Sequence, residues 1–547
     1  MSAGDGIATA DDSTPRRVNP HFGAESQVFG LDARSAVRPN VPMQCPSFRH
    51  FALSDPNRIA IREASGRCFT RGQLAALIDR TARALAAAGI KPGDAIAIVS
   101  PNCAEYLAVY LAGLRAGLHV VPVNWHLAKQ ERDFILDDSG AKAIFVHERL
   151  PASRFADLDA QKNPGTLRVG IGDAASCVPL SEFVAGHSAE PPNHRFMGRA
   201  MHYTSATTGK PKAVLLQRDR AETARQKVIE FHRPAGVDPS ADNVHLCNSM
   251  LYYAAPLERA VSALHMGHAL VLVERWDPRR CLALIETHGV TTSFMVPSMF
   301  IRLLKLPEAT RARYSTDSLK FVAHGGAPCP PGIKRKMIDW WGPIIWEGYS
   351  ATECQGTFAS SEEWLRYPGT VGRPIPGSEI RIMNDDGDTL PPGEVGAVYM
   401  TRFTGDRFEY RNDPEATRAC HRGKFITVGD LGYLNEEGYL FLCERRTDLI
   451  ISSGMNIYPA EIEQVLIEHP AVVDCAVFGA PHELLGQVPK AIIEPAAKVK
   501  PDPALTADIL VWLAARLSAA KLPHGIEYAN ALPRDPNGKL YRRRLVR

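Results

Sequence analysis

The sequence predicts an α/β protein in which a large N-terminal domain, built of parallel sheets and helices with a β-rich subdomain, precedes a small α+β domain. Strand-like and helix-like segments alternate between residues 73 and 146, and the alternation returns between 278 and 324. Because neighbouring parallel strands need a crossover connection, usually a helix, this alternation indicates parallel sheets. Between 374 and 445 the segments become short and are separated by Gly, Pro and Asp, which is typical of β-structure.

The alternating stretches supply the predicted elements of the large domain. The first stretch predicts helix Leu74–Ala88, strand Asp94–Ser100, helix Ala104–Gly117, strand His119–Asn124, a further helix, and strand Ala141–Val146. The second stretch predicts helix Pro278–His288, strand Thr291–Val296 and strand Leu319–His324. The last strand runs directly into Gly325-Gly326-Ala327-Pro328, and active sites of parallel sheets lie beyond the carboxyl ends of their strands. Functional groups are therefore expected at this point of the chain.

A smaller α+β unit of about 100 residues is expected to begin near Arg445. Its predicted elements are helix Pro459–His469, strand Val472–Phe478, strand Lys490–Glu494 and helix Ala507–Ala519. At the other end of the chain, residues 1–40 are polar and show no hydrophobic periodicity, which predicts a mobile or wrapped extension. The expected organisation is therefore an extension (1–40), a large domain (41–445) and a small domain (446–547).

Composition and charge argue against several classes of protein. The 547 residues carry a formal net charge of +3 without a Lys/Arg run interleaved with aromatic residues, so nucleic acid is not an expected partner. The eleven cysteines are scattered without a Cys-x-x-Cys pair, which fits a reducing compartment better than disulfides or a zinc site. No apolar run approaches the roughly 18 residues that span a bilayer, and the N-terminus lacks the features of a secretion signal. A cytoplasmic protein without an integral membrane segment is expected.

Residues 203–213 read Tyr-Thr-Ser-Ala-Thr-Thr-Gly-Lys-Pro-Lys-Ala, a segment rich in hydroxyl groups and lysines. Such a density of donors and cations can wrap a polyanion with charge-assisted hydrogen bonds. The segment does not match a Walker A loop, because Gly209-Lys210 is followed by Pro211. Taken alone, it fits either a phosphate-binding loop or an ordinary polar turn.

A second segment, Trp346-Glu-Gly-Tyr-Ser-Ala-Thr-Glu-Cys354, follows a predicted strand. Ser350-x-x-Glu353 has the pattern of a capping box that starts a helix. In the functional interpretation, Glu353 instead binds magnesium, Thr352 contacts a phosphate oxygen and Tyr349 stacks on a purine. Hard oxygen ligands beside phosphates are what magnesium prefers.

Three further segments have both a structural and a functional interpretation. In Thr427-Val-Gly-Asp-Leu-Gly432, Asp430 is either a turn residue or the carboxylate that clasps a ribose diol. In Leu532-Pro-Arg-Asp-Pro-Asn-Gly-Lys-Leu540, Asn537-Gly538 favours a hairpin turn, which would leave Lys539 as a solvated lysine. The third segment, residues 445–459, joins the large domain to the small one.

Together and in this order, these segments resemble the adenylate-forming superfamily of acyl-CoA synthetases, nonribosomal-peptide adenylation domains and beetle luciferases. The resemblance covers roughly residues 48–547, and the sequence is most similar to those of bacterial acyl-CoA and aryl-CoA ligases. It implies a large N-terminal domain followed by a small mobile lid domain that rotates between two half-reactions. In the first, a carboxylate attacks the α-phosphate of ATP to give an acyl-adenylate and pyrophosphate; in the second, a thiolate displaces AMP.

The resemblance also implies roles for individual residues. Catalytic roles fall to Lys539, Thr352 and Glu353, the last of them as the magnesium ligand. The nucleotide would be held by Thr204, Ser205, Thr207, Thr208, Gly209, Lys210, Lys212, Gly325, Gly326, Ala327, Tyr349, Asp430 and Arg445. Ser453 and Gly454 would line a narrow tunnel for the pantetheine of coenzyme A.

The acid pocket is expected to be an apolar or aromatic slot. Its candidate walls, by position relative to the motifs, are Tyr252, Tyr253, Val296, Pro297, Phe300, His324 and Gln355. Tyr253 stands where relatives tend to have a histidine, which is either a neutral exchange of flat, polar-tipped rings or a change to the pocket or the second step. His324 either meets a polar group of the acid or is structural. Thr447 occupies the expected hinge position, which is generally Asp or Lys in the family.

The function implied is an ATP-dependent acid–CoA ligase that uses ATP, Mg²⁺ and coenzyme A. An alternative is an adenylate-forming homologue that passes the activated acid to an amine or a carrier protein, including activation of nitrite for diazotisation. A third possibility, of a different class, is a non-catalytic nucleotide-binding scaffold. The expected partners are a small acid, ATP and CoA, with a homodimer as a further expectation.

Overall fold

The computed structural model describes most of the chain after residue 46. The described residues are 47–150, 165–190, 198–204, 211–217, 237–239, 242–402, 407–445, 448–452, 455–497, 499–535, 538, 540–541 and 545. They belong to one compact unit, Cys45–Arg547. The predicted extension, residues 1–40, lies outside the described residues.

The helices and strands are numbered in chain order. The described helices are α1 (Phe48–Ser54), α2 (Arg71–Ala87), α3 (Ala104–Arg115), α4 (Lys129–Ser139), α5 (Leu180–Phe183), α6 (Ala254–His265), α7 (Pro278–His288), α8 (Pro297–Leu304), α9 (Glu308–Arg311), α10 (Pro331–Trp341), α11 (Ser361–Arg366), α12 (Pro414–Cys420), α13 (Pro459–Ile467) and α14 (Pro503–Ala514). The described strands are β1 (Ile59–Glu63), β2 (Cys68–Thr70), β3 (Ala95–Val99), β4 (His119–Pro122), β5 (Ala141–His147), β6 (Leu167–Ile171), β7 (Val178–Pro179), β8 (Arg199–Thr204), β9 (Lys212–Gln217), β10 (Val244–Cys247), β11 (Ala269–Leu272), β12 (Thr292–Met295), β13 (Phe321–His324), β14 (Ile345–Ser350), β15 (Gln355–Ala359), β16 (Arg373–Pro374), β17 (Ile380–Met383), β18 (Gly396–Met400), β19 (Arg407–Tyr410), β20 (His421–Arg422), β21 (Phe425–Ile426), β22 (Asp430–Leu434), β23 (Leu440–Arg445), β24 (Ile450–Ser452), β25 (Met455–Ile457), β26 (Val472–His482), β27 (Gly486–Pro495) and β28 (Gly525–Tyr528).

The alternating segments form two sheets among the described strands. One has the order β19-β9-β8-β4-β3-β5-β6-β7, and its pairs from β8 to β7 are parallel. The other has the order β16-β15-β14-β13-β12-β10-β11-β1-β2, and its pairs from β14 to β1 are parallel. The predicted parallel sheets are therefore confirmed, and the carboxyl ends of β12, β13 and β14 meet along one edge.

The β-rich segment and the C-terminal region each form a sheet of their own. Strands of the first have the order β20-β21-β18-β22-β23, with β17 beside β18, and they are antiparallel. The C-terminal sheet has the order β25-β24-β27-β26, with β28 parallel to β27. Its core includes Ile462 and Leu466 of α13, Ile509 of α14 and Val477 of β26. This is the α+β arrangement that the sequence predicts.

Helices α2 and α3 lie between the two parallel sheets. Leu74 of α2 and Leu107 of α3 belong to one buried cluster with Ile96 of β3 and with Ile61 of β1, which are strands of different sheets. All four side chains are fully buried, so burial of apolar surface from both sides fixes this layer. The two sheets therefore pack against a common layer of helices.

Capping residues explain why the observed ends of helix α7 agree with the predicted ones. Helix α7 spans the predicted residues because the Asp277 side chain accepts a hydrogen bond from the Arg280 amide at 2.9 Å. Pro278 is its first residue, and Gly289 ends it with φ +57° in the left-handed region. This helix shows both of the signals that mark helix ends in a sequence.

Elsewhere the caps lie upstream of the predicted starts. Helix α2 begins at Arg71 and not at Leu74, because Thr70 and Gln73 form a capping box. Helix α14 begins at Pro503 and ends at Ala514, whereas Ala507–Ala519 was expected. Its N-cap, Asp502, accepts from the Leu505 amide at 2.8 Å.

The C-terminal sheet packs against the large domain through α8 and the residue that follows it. Ile301 of α8 packs against the buried core of the C-terminal sheet. Lys305, just after α8, donates from Nζ to the carbonyl oxygens of Val472 and Val473 at 3.1 and 2.9 Å. Among the described residues, no helix is both long and apolar enough to cross a membrane.

Candidate active site

The glycine pair after β13 leaves the backbone accessible at the carboxyl edge of the sheet. A Cβ on Gly325 would lie 2.5 Å from the Gly348 carbonyl oxygen of β14, so this close approach requires glycine. Gly326 follows with φ +81°, a conformation that favours glycine. Gly326 and Ala327 are exposed, which leaves their backbone groups available to a ligand at this edge.

Tyr349 and Asp430 meet across this edge. Tyr349 is the second-last residue of β14 and is half-buried, and its hydroxyl donates to Asp430 Oδ2 at 2.5 Å. Asp430 is buried and begins β22, where it pairs with Arg445 of β23. The interpretation of Asp430 as a turn residue is therefore wrong: Gly429, with φ +85°, takes the turn conformation because it lacks a Cβ.

The capping-box interpretation of Ser350-x-x-Glu353 is also wrong. Ser350 ends β14, and the Ala351 and Cys354 backbones exchange hydrogen bonds of 2.8 and 3.2 Å in a tight turn. The chain then returns as β15, antiparallel to β14, instead of entering a helix. Glu353 and Thr352 consequently lie on a turn at the carboxyl edge of β14.

Glu353 lies in a polar network that reaches Lys212. The carboxylate is buried, and its Oε1 accepts from the Tyr410 hydroxyl at 2.8 Å. Lys212 Nζ lies 5.1 Å from the centre of the Tyr410 ring and 3.1 Å from Asp413 Oδ2. Burial, together with the Glu353 charge, raises the pKa of Tyr410 above its ordinary value, so the phenol remains a donor. The network thus places a carboxylate at the hydroxyl of Tyr410 and a cation over its ring.

Tyr410 and Asp413 are site residues that sequence reasoning missed. The Asp413 side chain caps α12 by accepting from the Ala416 amide at 2.9 Å. That hydrogen bond, and then the nearby Lys212, lower the pKa of Asp413. Asp413-Pro414 is a helix-start signal that could have been read from the sequence. The contact of Asp413 with Lys212, in contrast, joins segments that are distant in the sequence, and no local sequence pattern indicates it.

Thr204 and Lys212 are paired across the hairpin formed by β8 and β9. Thr204 Oγ1 lies 3.5 Å from the Lys212 carbonyl oxygen. The predicted phosphate loop therefore begins and ends at neighbouring positions. The other residues predicted for it lie outside the described residues: Ser205, Thr207, Thr208, Gly209 and Lys210. The same holds for Lys539, Ser453 and Gly454, and for the predicted hinge residue Thr447.

The candidate acid-pocket residues form two groups of contacts. Phe300 and His324 are fully buried with ring centres 5.3 Å apart. Val296 is also buried, and its Cγ1 lies 3.9 Å from the position that a Cβ on Gly326 would occupy. Pro297 follows it as the first residue of α8. Tyr252 and Tyr253 form the second group, with ring centres 4.7 Å apart. Gln355 begins β15 opposite Ser350.

A buried ion pair lies behind His324. Lys334 Nζ of α10 is 2.8 Å from Glu347 Oε2 of β14, and both side chains are buried. His324 Nε2 is 3.6 Å from the same carboxylate oxygen. Neither His324 ring nitrogen has a hydrogen-bond partner among the described residues. Lys334 was missed, although it occupies the apolar stripe of α10 together with Met337, Ile338 and Trp341.

The environment of His324 predicts a measurable pH dependence of stability. Burial and the neighbouring Lys334 charge hold the pKa of His324 well below its ordinary value, so the folded imidazole is neutral. As pH falls below about 6.5, the unfolded histidine binds a proton and the folded one does not. This residue should therefore cost about 1.4 kcal/mol of unfolding free energy per pH unit below that value.

The check is a series of urea-unfolding curves between about pH 4.5 and 7.5 for the wild type and His324→Phe. Because other buried histidines also titrate, the difference between the two slopes is the quantity to compare. A difference in slope that corresponds to about one proton supports a neutral His324 in the folded protein. Parallel pH profiles would show that His324 takes up its proton equally in both states.

The C-terminal segment reaches the same region. The Tyr253 hydroxyl donates to Asp535 Oδ2, and Asp535 is buried. Gly538 has φ +82°, and a Cβ there would overlap the Ser298 hydroxyl at the start of α8. A Cβ at Gly538 would also lie 3.8 Å from Val296 Cγ2. Asp535 therefore contacts one group of candidate pocket residues, and Gly538 lies beside the other.

Comparison with known proteins identifies the family. The model of the AMP-binding enzyme family matches residues 48–403, and that of the AMP-binding enzyme C-terminal domain matches residues 461–539. The chain is 30% identical over 518 residues to a fatty acid–[acyl-carrier-protein] ligase, ScoC, of Streptomyces coeruleorubidus, which covers 92% of this chain and 95% of that protein. It is 31% identical over 496 residues to a feruloyl-CoA synthase of an Amycolatopsis species, which covers 89% of this chain and 95% of that protein.

A solved structure shares the fold. The amide bond synthetase McbA of Marinactinospora thermotolerans superposes with a TM-score of 0.77 at 25% identity, over 91% of this chain and 98% of that one. The predicted architecture, a large N-terminal α/β domain with a small C-terminal domain, is thereby confirmed. The chain belongs to the AMP-binding enzyme family within the adenylate-forming superfamily, close to its acyl- and aryl-CoA ligases, and is an AMP-forming ligase.

Proposed function

We propose that this ligase joins a carboxylic acid to coenzyme A through an acyl-adenylate. The acid oxygen attacks the α-phosphorus of ATP, and the bond to pyrophosphate breaks. The CoA thiolate then attacks the acyl carbon, and AMP leaves with the bonding electrons. The observation that carries the proposal is the carboxyl edge shared by the neighbouring strands β13 and β14. His324 ends β13, while Tyr349, whose hydroxyl binds Asp430, and the turn that carries Glu353 lie at the end of β14.

The nucleoside would bind along the glycine pair and Tyr349. The exposed backbone of Gly326 and Ala327 offers hydrogen bonds to a purine edge, and the Tyr349 ring offers a stacking face. Asp430 lies within hydrogen-bond distance of the Tyr349 hydroxyl, so its carboxylate is placed near the same base. Two carboxylate oxygens can accept from both hydroxyls of a ribose. Arg445, paired with Asp430 in the sheet, would lie near the ribose.

The phosphates would bind between Thr352 and the segment 204–212. Lys212 and the hydroxyl groups of that segment supply the positive charge and the donors that a leaving pyrophosphate needs. Among the described residues, no cluster of three or more metal-ligating side chains lies close enough to hold a metal by itself. Glu353 would supply one carboxylate ligand to Mg²⁺, and phosphate oxygens and water would supply the others. Mg²⁺ is commonly bound in this way.

Lys539 would act where the acid and the α-phosphate meet. A Cβ on its described neighbour Gly538 would overlap Ser298 and lie 3.8 Å from Val296 Cγ2, so this glycine lies beside the candidate acid pocket. An ammonium group at this place would compensate the charge that grows on the phosphate oxygens as the acid attacks. The residues of the small domain, 446–547, would thus complete a site whose nucleotide-binding part lies in the large domain.

The acceptor separates the main proposal from its alternatives. The relatives named above include a ligase for an acyl-carrier protein and an amide bond synthetase, so transfer to a carrier protein or an amine is the second candidate. Activation of nitrite for diazotisation belongs to the same candidate. The presence of Lys539, Glu353 and Asp430 argues against a non-catalytic scaffold, because such a protein has no need of these groups together.

Pyrophosphate release tests these candidates directly. The purified full chain is incubated with ATP, Mg²⁺ and a panel of aliphatic and aromatic acids, with and without CoA, and CoA thioesters are measured in parallel. Acid-dependent pyrophosphate release with thioester formation supports a CoA ligase. Pyrophosphate release that never consumes CoA would reject CoA as the acceptor, and addition of amines or a phosphopantetheinylated carrier protein would then identify the acceptor.

Replacing Gly454 by tryptophan tests the proposed pantetheine tunnel. A bulky side chain in a narrow channel should slow thioester formation by at least about tenfold, while acyl-adenylate formation changes less than about twofold. Each half-reaction is measured separately, by pyrophosphate release without CoA and by CoA capture of supplied acyl-adenylate. Equal losses in both half-reactions would argue that Gly454 does not line the tunnel.

A further inference from the structure

Tyr253 and Asp535 form a partly buried contact between segments that are 282 residues apart. Tyr253 is the residue just before α6, and its hydroxyl donates to Asp535 Oδ2. Only 7% of Asp535 is exposed, so its hydrogen bonds are largely shielded from water. A hydrogen bond to a buried charged group contributes more than an exposed one, because its loss leaves the charge poorly solvated.

The segment around Asp535 is held in shape by its own hydrogen bonds. The Gly538 amide donates to the Asp535 carbonyl oxygen at 2.8 Å, and Arg534 Nη1 donates to the Gly538 carbonyl oxygen at 2.8 Å. Arg534 Nη2 also donates to Asp474 Oδ1 of β26 at 2.7 Å. The turn that contains Arg534, Asp535 and Gly538 is therefore tied to the C-terminal sheet.

Contacts with the large domain fix both ends of this turn. At one end the Tyr253 hydroxyl binds Asp535, and at the other Gly538 fits against Ser298 with no room for a Cβ. Lys539 is the next residue in the sequence. Displacement of the turn would therefore move the attachment point of the lysine that the proposed function places at the α-phosphate.

We propose that Tyr253 is a positioning residue for the adenylation step: through Asp535, its hydroxyl holds the turn before Lys539 against the large domain. This inference rests on the proposed function, in which Lys539 acts in the first half-reaction. It also takes from the family resemblance that the small domain rotates between the two half-reactions. The contact must break when the small domain turns. It should therefore favour adenylate formation and contribute nothing to thioester formation.

The hydroxyl remains protonated throughout the working pH range. Burial and the Asp535 charge raise the pKa of Tyr253 well above its ordinary value. The hydroxyl can therefore donate to Asp535 over this whole range of pH. A histidine at position 253 would lose its proton near neutral pH and could not donate in the same way at every pH.

The first test is Tyr253→Phe, which removes the hydroxyl and keeps the ring. Single-turnover adenylate formation at saturating acid and ATP should fall about tenfold, with thioester formation from supplied acyl-adenylate unchanged within about twofold. Tyr439→Phe is the matched control, because its hydroxyl donates to Glu363 Oε1 at 3.2 Å in the large domain. That control should leave both rates unchanged.

The second test separates the contact from effects on the acid pocket. Asp535→Ala should slow adenylate formation by at least as much without altering the Tyr253 ring. The double variant should be no slower than the slower single variant, because both substitutions remove the same hydrogen bond, the one between Tyr253 and Asp535. Additive losses, or equal slowing of both half-reactions, would overturn the proposal.

A third readout needs no turnover. Deuterium uptake of peptides that span residues 533–541 should rise in Tyr253→Phe and in Asp535→Ala, and not in Tyr439→Phe. If the wild type released no pyrophosphate with any acid, the proposed function would fail, while the uptake would still show whether Tyr253 holds the turn. Unchanged uptake in both variants would refute the positioning role whatever the activity.

Discussion

Lys539→Ala should lower the rate of acyl-adenylate formation by about two to three orders of magnitude, the scale of losing one well-placed charge-stabilising group. In the proposed first step, negative charge grows on the α-phosphate oxygens as the acid attacks and pyrophosphate leaves. An ammonium group that contacts both reactants stabilises this charge more in the transition state than in the ground state, so the loss should appear in kcat. ATP binding should change little, because the nucleotide contacts proposed for Tyr349, Asp430 and Glu353 remain.

The measurements are pyrophosphate release in a single turnover and ATP affinity by calorimetry. Lys521→Ala is a suitable control, since Lys521 Nζ lies 2.5 Å from Glu461 Oε1 in the same C-terminal region and has no proposed role in the reaction. Thioester formation from supplied acyl-adenylate should survive in Lys539→Ala. Full pyrophosphate release by this variant would refute the role assigned to the lysine.

Much of the fold could be predicted from the sequence because its signals are local. The alternation of helices and strands gave the parallel sheets, and the Asp-Pro start and the glycine end of α7 fixed both of its boundaries. Errors arose where a cap was overlooked, as at Asp502 before α14, or where two patterns competed. Ser350-x-x-Glu353 matches a capping box, yet pairing of β14 with β15 prevails over it.

The candidate site was predictable only in part, for a related reason. Residues such as Glu353 and Asp430 stand in short motifs, so their positions could be read directly. Their partners come from elsewhere: Tyr410 is 57 residues from Glu353, and Asp535 is 282 residues from Tyr253. No local pattern indicates which distant side chain completes a contact, because the folded sheets decide it.

The ion pair behind the site shows how packing and function are connected. Lys334 is fully buried, with its Nζ 2.8 Å from Glu347 Oε2 and 4.9 Å from the Trp364 ring centre. Glu347 lies in β14 ahead of Tyr349, and His324 lies in β13 ahead of Gly325. Disturbance of the pair would therefore reach both strands that present the proposed nucleotide-binding edge.

Replacing Lys334 by methionine should lower the free energy of unfolding by about 3–5 kcal/mol, because the substitution leaves Glu347 buried without its counter-charge. Burial already raises the pKa of Glu347, so the isolated carboxyl should take up a proton as pH falls. The penalty should therefore be smaller near about pH 5 than near about pH 8, and it is measured by urea unfolding at both values.

Two further variants separate the buried charge from the lost lysine chain. Lys334→Met combined with Glu347→Gln should recover a large part of the stability, since removal of both charges leaves a neutral pair. Lys129→Met, which breaks an exposed pair of 2.7 Å with Asp133, should cost less than about 1 kcal/mol. If the double variant were no more stable than Lys334→Met, the loss would come from packing of the lysine chain against Trp364, and the charge of Glu347 would not be its cause.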